Sequence, residues 1–374
     1  MPTLQVWYHD PIEVDPRSSW RGLTRTLAGA SYADHRSCVD ASITRLFQYA
    51  RPDAVIAADG KPILVLEQTT MNPSGHNIPQ RFSFIEKAAE NLVPSICYYP
   101  KSAARTTSDP NLRNLNVRVP LAQFLLMDTW DALCLSSFWP IGGAKNLPAR
   151  QLSAHRSLAL TIDEIVDYYL RSSQLPLRSN TSTMPEVTMR IAEMDAVIAT
   201  FGTKRSYPRN SSVSTVYPLG LPGTQRGAQT PIDPPPKAQL LRSESFVKLL
   251  EARHHTRNRH WSAERNNFNT RDFSLVFTGT ANRQQTDSEH PHYGHLVMLD
   301  VLYCRNVGSR SRIDRRFNLV YRLPKVKLSD FLDSMHGGST AAHITINHAD
   351  LVILDDGVIT GDSSARPQQI MLRT

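Results

Sequence analysis

The chain has 374 residues, with 42 Lys and Arg against 34 Asp and Glu and a formal net charge of +8. That length accommodates two domains or one large decorated domain. The basic excess favours a polyanionic partner through counterion release, and the many carboxylates fit an enzyme that grips a phosphate backbone better than a pure packaging protein.

In chain order, a helix is expected over 37–49, carrying Asp40. Two short apolar strands follow, Asp53-Ala54-Val55-Ile56 and Ile63 to Thr69, joined by the turn Ala58-Asp59-Gly60-Lys61. Asp53 and Glu67 stand at strand ends with thirteen residues between them, and a tight hairpin brings them together. Neighbouring carboxylates repel, and a hard divalent cation with oxygen ligands relieves the repulsion. The plainer alternative makes Asp53 a strand-edge cap and Glu67 a solvated strand end. Residues 70–79 hold two prolines, a glycine and two asparagines and read as a loop. An amphipathic helix over 80–92 repeats Phe82, Ile85, Ala89 and Leu92 at helical spacing, and a buried strand follows at 95–99.

Pro52-Asp53 and Glu67-Gln68-Thr69 in this helix–strand–strand–helix–strand order resemble the PD-(D/E)XK, or restriction-endonuclease-like, nuclease superfamily. Thr69 departs from the pattern, standing where that family usually has Lys. The resemblance implies an α/β fold (α+β mixed) with an αββαβ core and a Mg²⁺ ion held by Asp53, Glu67 and the Gln68 carbonyl. The ion would activate water and offset charge on the scissile phosphate. Thr69 can donate a hydrogen bond but carries no charge. Lys87 on the following helix is the first candidate to supply it, and Lys61 in the turn is a weaker one. Arg81 and His76 are also within sequence reach for that role, and His76, Asn77, Gln80 and Arg81 are candidates to contact a bound nucleic acid. Asp40 is a further candidate acid, because many members of the superfamily carry one on that helix.

A basic loop with Lys101, Arg105 and Arg113 comes next, then helices over 160–170 and 185–201. These complete a nuclease-like domain, 1–203, with helical additions. Residues 204–240 are rich in Pro, Ser and Gly and read as a linker or long loop. The remainder, 241–374, reads as a basic, β-rich α+β domain for nucleic-acid recognition. It opens with a helix at Ser243 leading into Arg253, Arg257 and Arg259, whose guanidinium groups suit phosphates or guanine. Strands are expected at 273–277, 295–303, 316–322 and 351–354, a helix at 328–335, and a second basic run from Arg305 to Arg316. His290, His292 and His295 cluster, but their spacing matches no zinc pattern and reads as a polar turn.

Cys38, Cys97, Cys134 and Cys304 are scattered without a CxxC pair, which fits a reducing compartment. No run reaches transmembrane length, and residues 1–8 lack the pattern of a signal peptide. A cytoplasmic protein without a membrane partner is therefore expected. No P-loop is present, so no nucleotide cofactor is expected. The functional expectation is a Mg²⁺-dependent endonuclease acting on double-stranded DNA, of the type II restriction kind, working as a homodimer on a palindromic site. Alternatives are an antiphage effector nuclease with the same core, a non-catalytic nucleic-acid-binding protein with a degenerate nuclease fold, and a capsid-associated protein.

Overall fold

The computed structural model describes residues 2–9, 24–49, 51–69, 79–100, 102–106, 109–114, 118–139, 150–202, 238–253, 265–266, 268–279, 291–305, 315, 317–360 and 368–370. The chain divides into two compact units, Met1–Arg205 and Ser206–Thr374. Most of the Pro-rich stretch, 203–237, lies outside the described residues.

The first unit is built on a six-stranded mixed sheet in the order β2-β1-β3-β4-β5-β8. Its strands are β1 (Leu4–Tyr8), β2 (Ser31–Asp34), β3 (Ala54–Ala58), β4 (Lys61–Gln68), β5 (Ser95–Pro100) and β8 (Cys134–Trp139). β6 (Ser102–Thr106) and β7 (Asp109–Asn114) pair separately. All five residues of β3 are buried and apolar, as a strand flanked on both sides by β1 and β4 requires.

Helices cover both faces of this sheet. α1 (Ala41–Gln48) starts where the Asp40 carboxylate accepts from the Ser42 amide (2.8 Å), and it buries the stripe Ile43, Leu46 and Phe47. It is shorter than expected because 35–37 form a separate 3₁₀ turn. α2 (Phe82–Glu90) ends where Leu92 adopts a left-handed φ of 58° and the Val93 amide reaches back to the Ala88 carbonyl (2.9 Å). α1 packs on β3, β4 and α2, and α2 packs on α3 (Arg118–Trp130). The Ser136 hydroxyl donates to Gln123 of α3 (2.6 Å), which fixes α3 on this same face. α4 (Arg150–Ser172) and α5 (Pro185–Gly202) take the opposite face, where Tyr98 meets His155 and Ser137 meets Arg190. The order α1-β3-β4-α2-β5 occupies the centre of this three-layer arrangement.

The second unit has its own mixed sheet, β14-β13-β12-β11-β10-β9. Its strands are β9 (Ala238–Arg242), β10 (Phe273–Thr278), β11 (Asn318–Arg322), β12 (Leu351–Ile353), β13 (Val358–Thr360) and β14 (Gln368–Ile370). Its helices are α6 (Ser243–Arg253), α7 (Pro291–Leu299), α8 (Leu328–His336) and α9 (Thr340–His348). Helix outweighs strand among the described residues here, so the β-rich expectation is corrected to mixed α/β. The largest difference is 295–303, expected as a strand. It is helical, and its end widens into a π turn over Asp300–Cys304. Leu296, Val297, Met298 and Leu299 are all buried, and a helix apolar on every side shows no 3.6-residue period to tell it from a buried strand.

The expected polar turn at His290 to His295 is likewise helical from Pro291 onward. His292 and His295 are buried and pack on the Phe277 ring, at 5.7 and 6.3 Å between centroids. The basic run is also partly internal. Arg315 is fully buried between Asp300 (2.8 Å) and Asp350 (2.7 Å), and Arg305 pairs with Asp300 at 2.8 Å. Burial pushes the Asp300 carboxyl up, but Arg305 and Arg315, helped by His348, outweigh that and hold it well below the usual range.

Candidate active site

The site begins with the turn between β3 and β4. Asp59 and Gly60 have φ of 48° and 76°, the positive pair that closes a tight hairpin with the twist of its strands. The register pairs Ala54 with Leu66, so the next pair outward sets Asp53 opposite Glu67. Directly opposed residues of an antiparallel pair project to one face. Asp53 confirms the closeness: its carboxylate accepts a hydrogen bond from the Gln68 amide. In an extended strand a residue's N–H and C=O point to the same neighbour, so the Gln68 carbonyl also faces the Asp53 side.

Glu67 is 3% exposed, and its Oε1 accepts from Nε of Arg81 at 2.9 Å. Arg81 closes the 3₁₀ turn Pro79–Arg81 that leads into α2, and its side chain is 24% exposed. β5 lies on the other side, with Cys97 opposite Glu67. The buried Cys97 thiol is pushed up by burial first and then by Glu67, Cys134 and Asp53, while Arg81 pulls it down. Both carboxylates and the guanidinium thus act on one thiol.

β1 extends the row. Tyr8 pairs with Ala54, and the His9 amide donates to the Asp53 carbonyl (3.1 Å). His9, Asp53, Glu67 and Cys97 therefore stand abreast across four strands. The His9 ring lies 5.1 Å from that of His35, which stacks on Phe47 of α1 (4.4 Å) and donates from Nδ1 to the Tyr8 carbonyl (3.2 Å). His9 and Cys97 were missed from the sequence. The signal for His9 is the strand β1 at the N-terminus, whose partner β3 is some fifty residues away in the register.

The remaining sequence candidates distribute as follows. Thr69 is half-buried, and its amide donates to the Tyr98 carbonyl (2.8 Å), continuing the β4–β5 ladder. Lys87 bonds Glu90 of α2 (2.7 Å) and lies over the ring of Tyr49, which caps α1 (5.4 Å), so these contacts engage it with the helices and not with the acidic pair. Asp40 caps α1, and a Cβ on Gly60 would come within 3.0 Å of its Oδ2. Asp40 and Lys61 thus sit at the turn, about 16 Å along the strand from the acidic pair. Gln80 lies in the 3₁₀ turn and Arg253 ends α6, with neither side chain described. His76, Asn77, Arg257 and Arg259 lie outside the described residues.

The donor chemistry fits Mg²⁺. Two adjacent carboxylates and a backbone carbonyl are all hard oxygen donors, and Mg²⁺ is commonly held by one or two carboxylates plus waters and substrate phosphate. Among the described residues no group of three or more His, Cys, Asp and Glu side chains could hold a metal ion, so any ligand beyond Asp53 and Glu67 would have to be a backbone carbonyl, water or substrate oxygen. No protein-family model, curated protein or solved structure matches this chain. Among the described residues no helix is long and apolar enough to cross a membrane.

Proposed function

We propose that the chain is a Mg²⁺-dependent endonuclease that hydrolyses DNA phosphodiester bonds, most simply of the type II restriction kind. The observation that carries this reading is the opposed pair Asp53 and Glu67 at the open end of the β3–β4 hairpin, with the Gln68 backbone turned to the same side. When bound, the cation supplies Lewis-acid stabilisation of the phosphate and lowers the pKa of an attacking water.

The protein's own part is positional. Asp53 and Glu67 would hold the cation at the ends of the buried strand β3 and the largely buried β4, and the Gln68 amide restrains the Asp53 carboxylate by donating to it. In the reaction the water oxygen bonds to phosphorus as the bond from phosphorus to the leaving sugar oxygen breaks. The water proton passes to solvent, and the leaving oxygen takes a proton from solvent. The net charge of +8 supports attraction to the substrate. Action on both strands of a palindromic site would call for a homodimer.

A non-catalytic nucleic-acid-binding protein is the second reading. It is favoured by Thr69 at the usual Lys position and by the Arg81 guanidinium seated on Glu67. Supercoiled plasmid incubated with the protein in Mg²⁺ or in EDTA separates the two. The proposal expects cutting in Mg²⁺ alone, reduced to background in Asp53→Ala and Glu67→Ala with their folds intact by circular dichroism. Full activity in either variant removes that carboxylate from the chemistry. A gel shift without cutting by the wild type selects the second reading. Discrete fragments would indicate sequence-specific restriction, and a smear an effector-type nuclease.

A further inference from the structure

We propose that Arg81 is the cationic catalytic residue of this site and that it is gated by the metal. In the metal-free protein it neutralises Glu67. Once the carboxylate is taken by a cation, it turns its guanidinium to the non-bridging oxygens of the scissile phosphate. The inference rests on the nuclease reading above and supplies the charge that Thr69 cannot.

Three observations converge on Arg81. Glu67 is 3% exposed, and a carboxylate buried that deeply needs a counter-charge; the Arg81 Nε at 2.9 Å provides it. The alternative cation, Lys87, is held by Glu90 at 2.7 Å and by the Tyr49 ring. Finally, the Arg81 side chain is 24% exposed and ends a short 3₁₀ turn, so solvent and ligands can approach it beside the buried carboxylate. Guanidinium suits the second position because its fork of donors matches the paired oxygens of a phosphate.

The same geometry sets up a competition. The guanidinium charge seated on Glu67 repels a second cation on the same carboxylate, so Arg81 opposes metal binding while assisting turnover. These two effects have opposite signs on removal of the side chain, which a merely structural ion pair would not produce.

The test measures Mg²⁺ affinity by isothermal titration calorimetry, without nucleic acid, and single-turnover plasmid cleavage at saturating Mg²⁺. It compares wild type, Arg81→Ala, Arg81→Gln and Arg81→Lys. Arg81→Ala is expected to bind Mg²⁺ about tenfold more tightly, the factor carried by one charge-assisted hydrogen bond. It is also expected to cut about 100-fold more slowly, as when one transition-state donor is lost. Should Arg81→Ala not fold around the unpaired Glu67, Arg81→Gln keeps a neutral donor there and is expected to show both changes. Arg81→Lys should retain part of the cleavage rate. Cleavage at the wild-type rate in Arg81→Ala or Arg81→Gln, or Mg²⁺ binding no tighter than wild type, overturns the assignment while leaving the acidic pair in place. A wild-type protein that neither binds Mg²⁺ nor cuts DNA overturns the nuclease reading itself, and Arg81's role with it.

Discussion

At the scale of single residues, the first unit carries a titratable group on the face of the sheet opposite the acidic pair. His155 of α4 is 2% exposed, its ring edge meets Tyr98 at 5.2 Å, and its Nδ1 has no hydrogen-bond partner. Burial lowers its pKa to about 4. The ring is therefore neutral in the folded protein at pH values where the unfolded chain, near its ordinary value of about 6.5, already takes up a proton. Proton uptake by the unfolded state alone weakens folding, so stability is lost as pH falls from about 6.5 to about 4, by roughly 3 kcal/mol across the window. His155→Phe keeps the aromatic contact and removes the titration. Urea unfolding at pH 7 and pH 5 is expected to show a smaller difference in this variant than in wild type; an unchanged difference would assign the acid sensitivity to another group.

The hairpin that aligns the acidic pair poses the corresponding problem at the scale of elements. Gly60 has a φ of 76°, and a Cβ there would meet Asp40 Oδ2 at 3.0 Å, crowding the cap of α1. Gly60→Ala is expected to cost about 1–2 kcal/mol in urea unfolding, the price of a left-handed residue with a side chain. Because the turn lies about 16 Å along the strand from Asp53, the cleavage rate of the folded fraction at saturating Mg²⁺ should not change. A large drop in rate would mean that the turn controls the alignment of the pair.

This hairpin was also the most legible element in the sequence. An Asp-Gly turn between two apolar runs specifies the connection, but Asp53 faces Glu67 only because the register shifts by one residue between Ile56 and Ala57, an irregularity that the sequence pattern does not reveal. The helices α1 and α2 were legible through their apolar stripes. What escaped depends on partners distant in the chain or on burial from all sides. β1 is a strand because β3 lies beside it, and α7 has no polar face to reveal its period. The Arg81–Glu67 contact joins residues on either side of a loop that sequence periodicity cannot cross, so in the sequence Arg81 is one of several basic residues within reach, behind Lys87.

For the whole molecule, the net charge of +8 overstates how much positive charge the second unit offers a polyanion. Arg315 is fully buried against Asp300 and Asp350, and its Nη2 also donates to the His348 carbonyl (3.0 Å). Arg305 closes on Asp300, and Arg271 lies 3.6 Å from Asp350 while donating to Asn318 (2.6 Å). These arginines hold the π turn after α7 against the start of β11 and the end of α9, so their work is internal. Breaking one side of such a buried pair leaves a charge without compensation and costs about 3–5 kcal/mol. Arg315→Met is therefore expected to lower unfolding stability by that amount. Counterion release counts only the cations that meet phosphates. For protein that remains folded, the slope of log binding constant against log salt should match the wild type for any DNA the protein binds. A shallower slope in Arg315→Met would place this arginine at the nucleic acid after all, and would return the second basic run to the recognition surface that its sequence suggests.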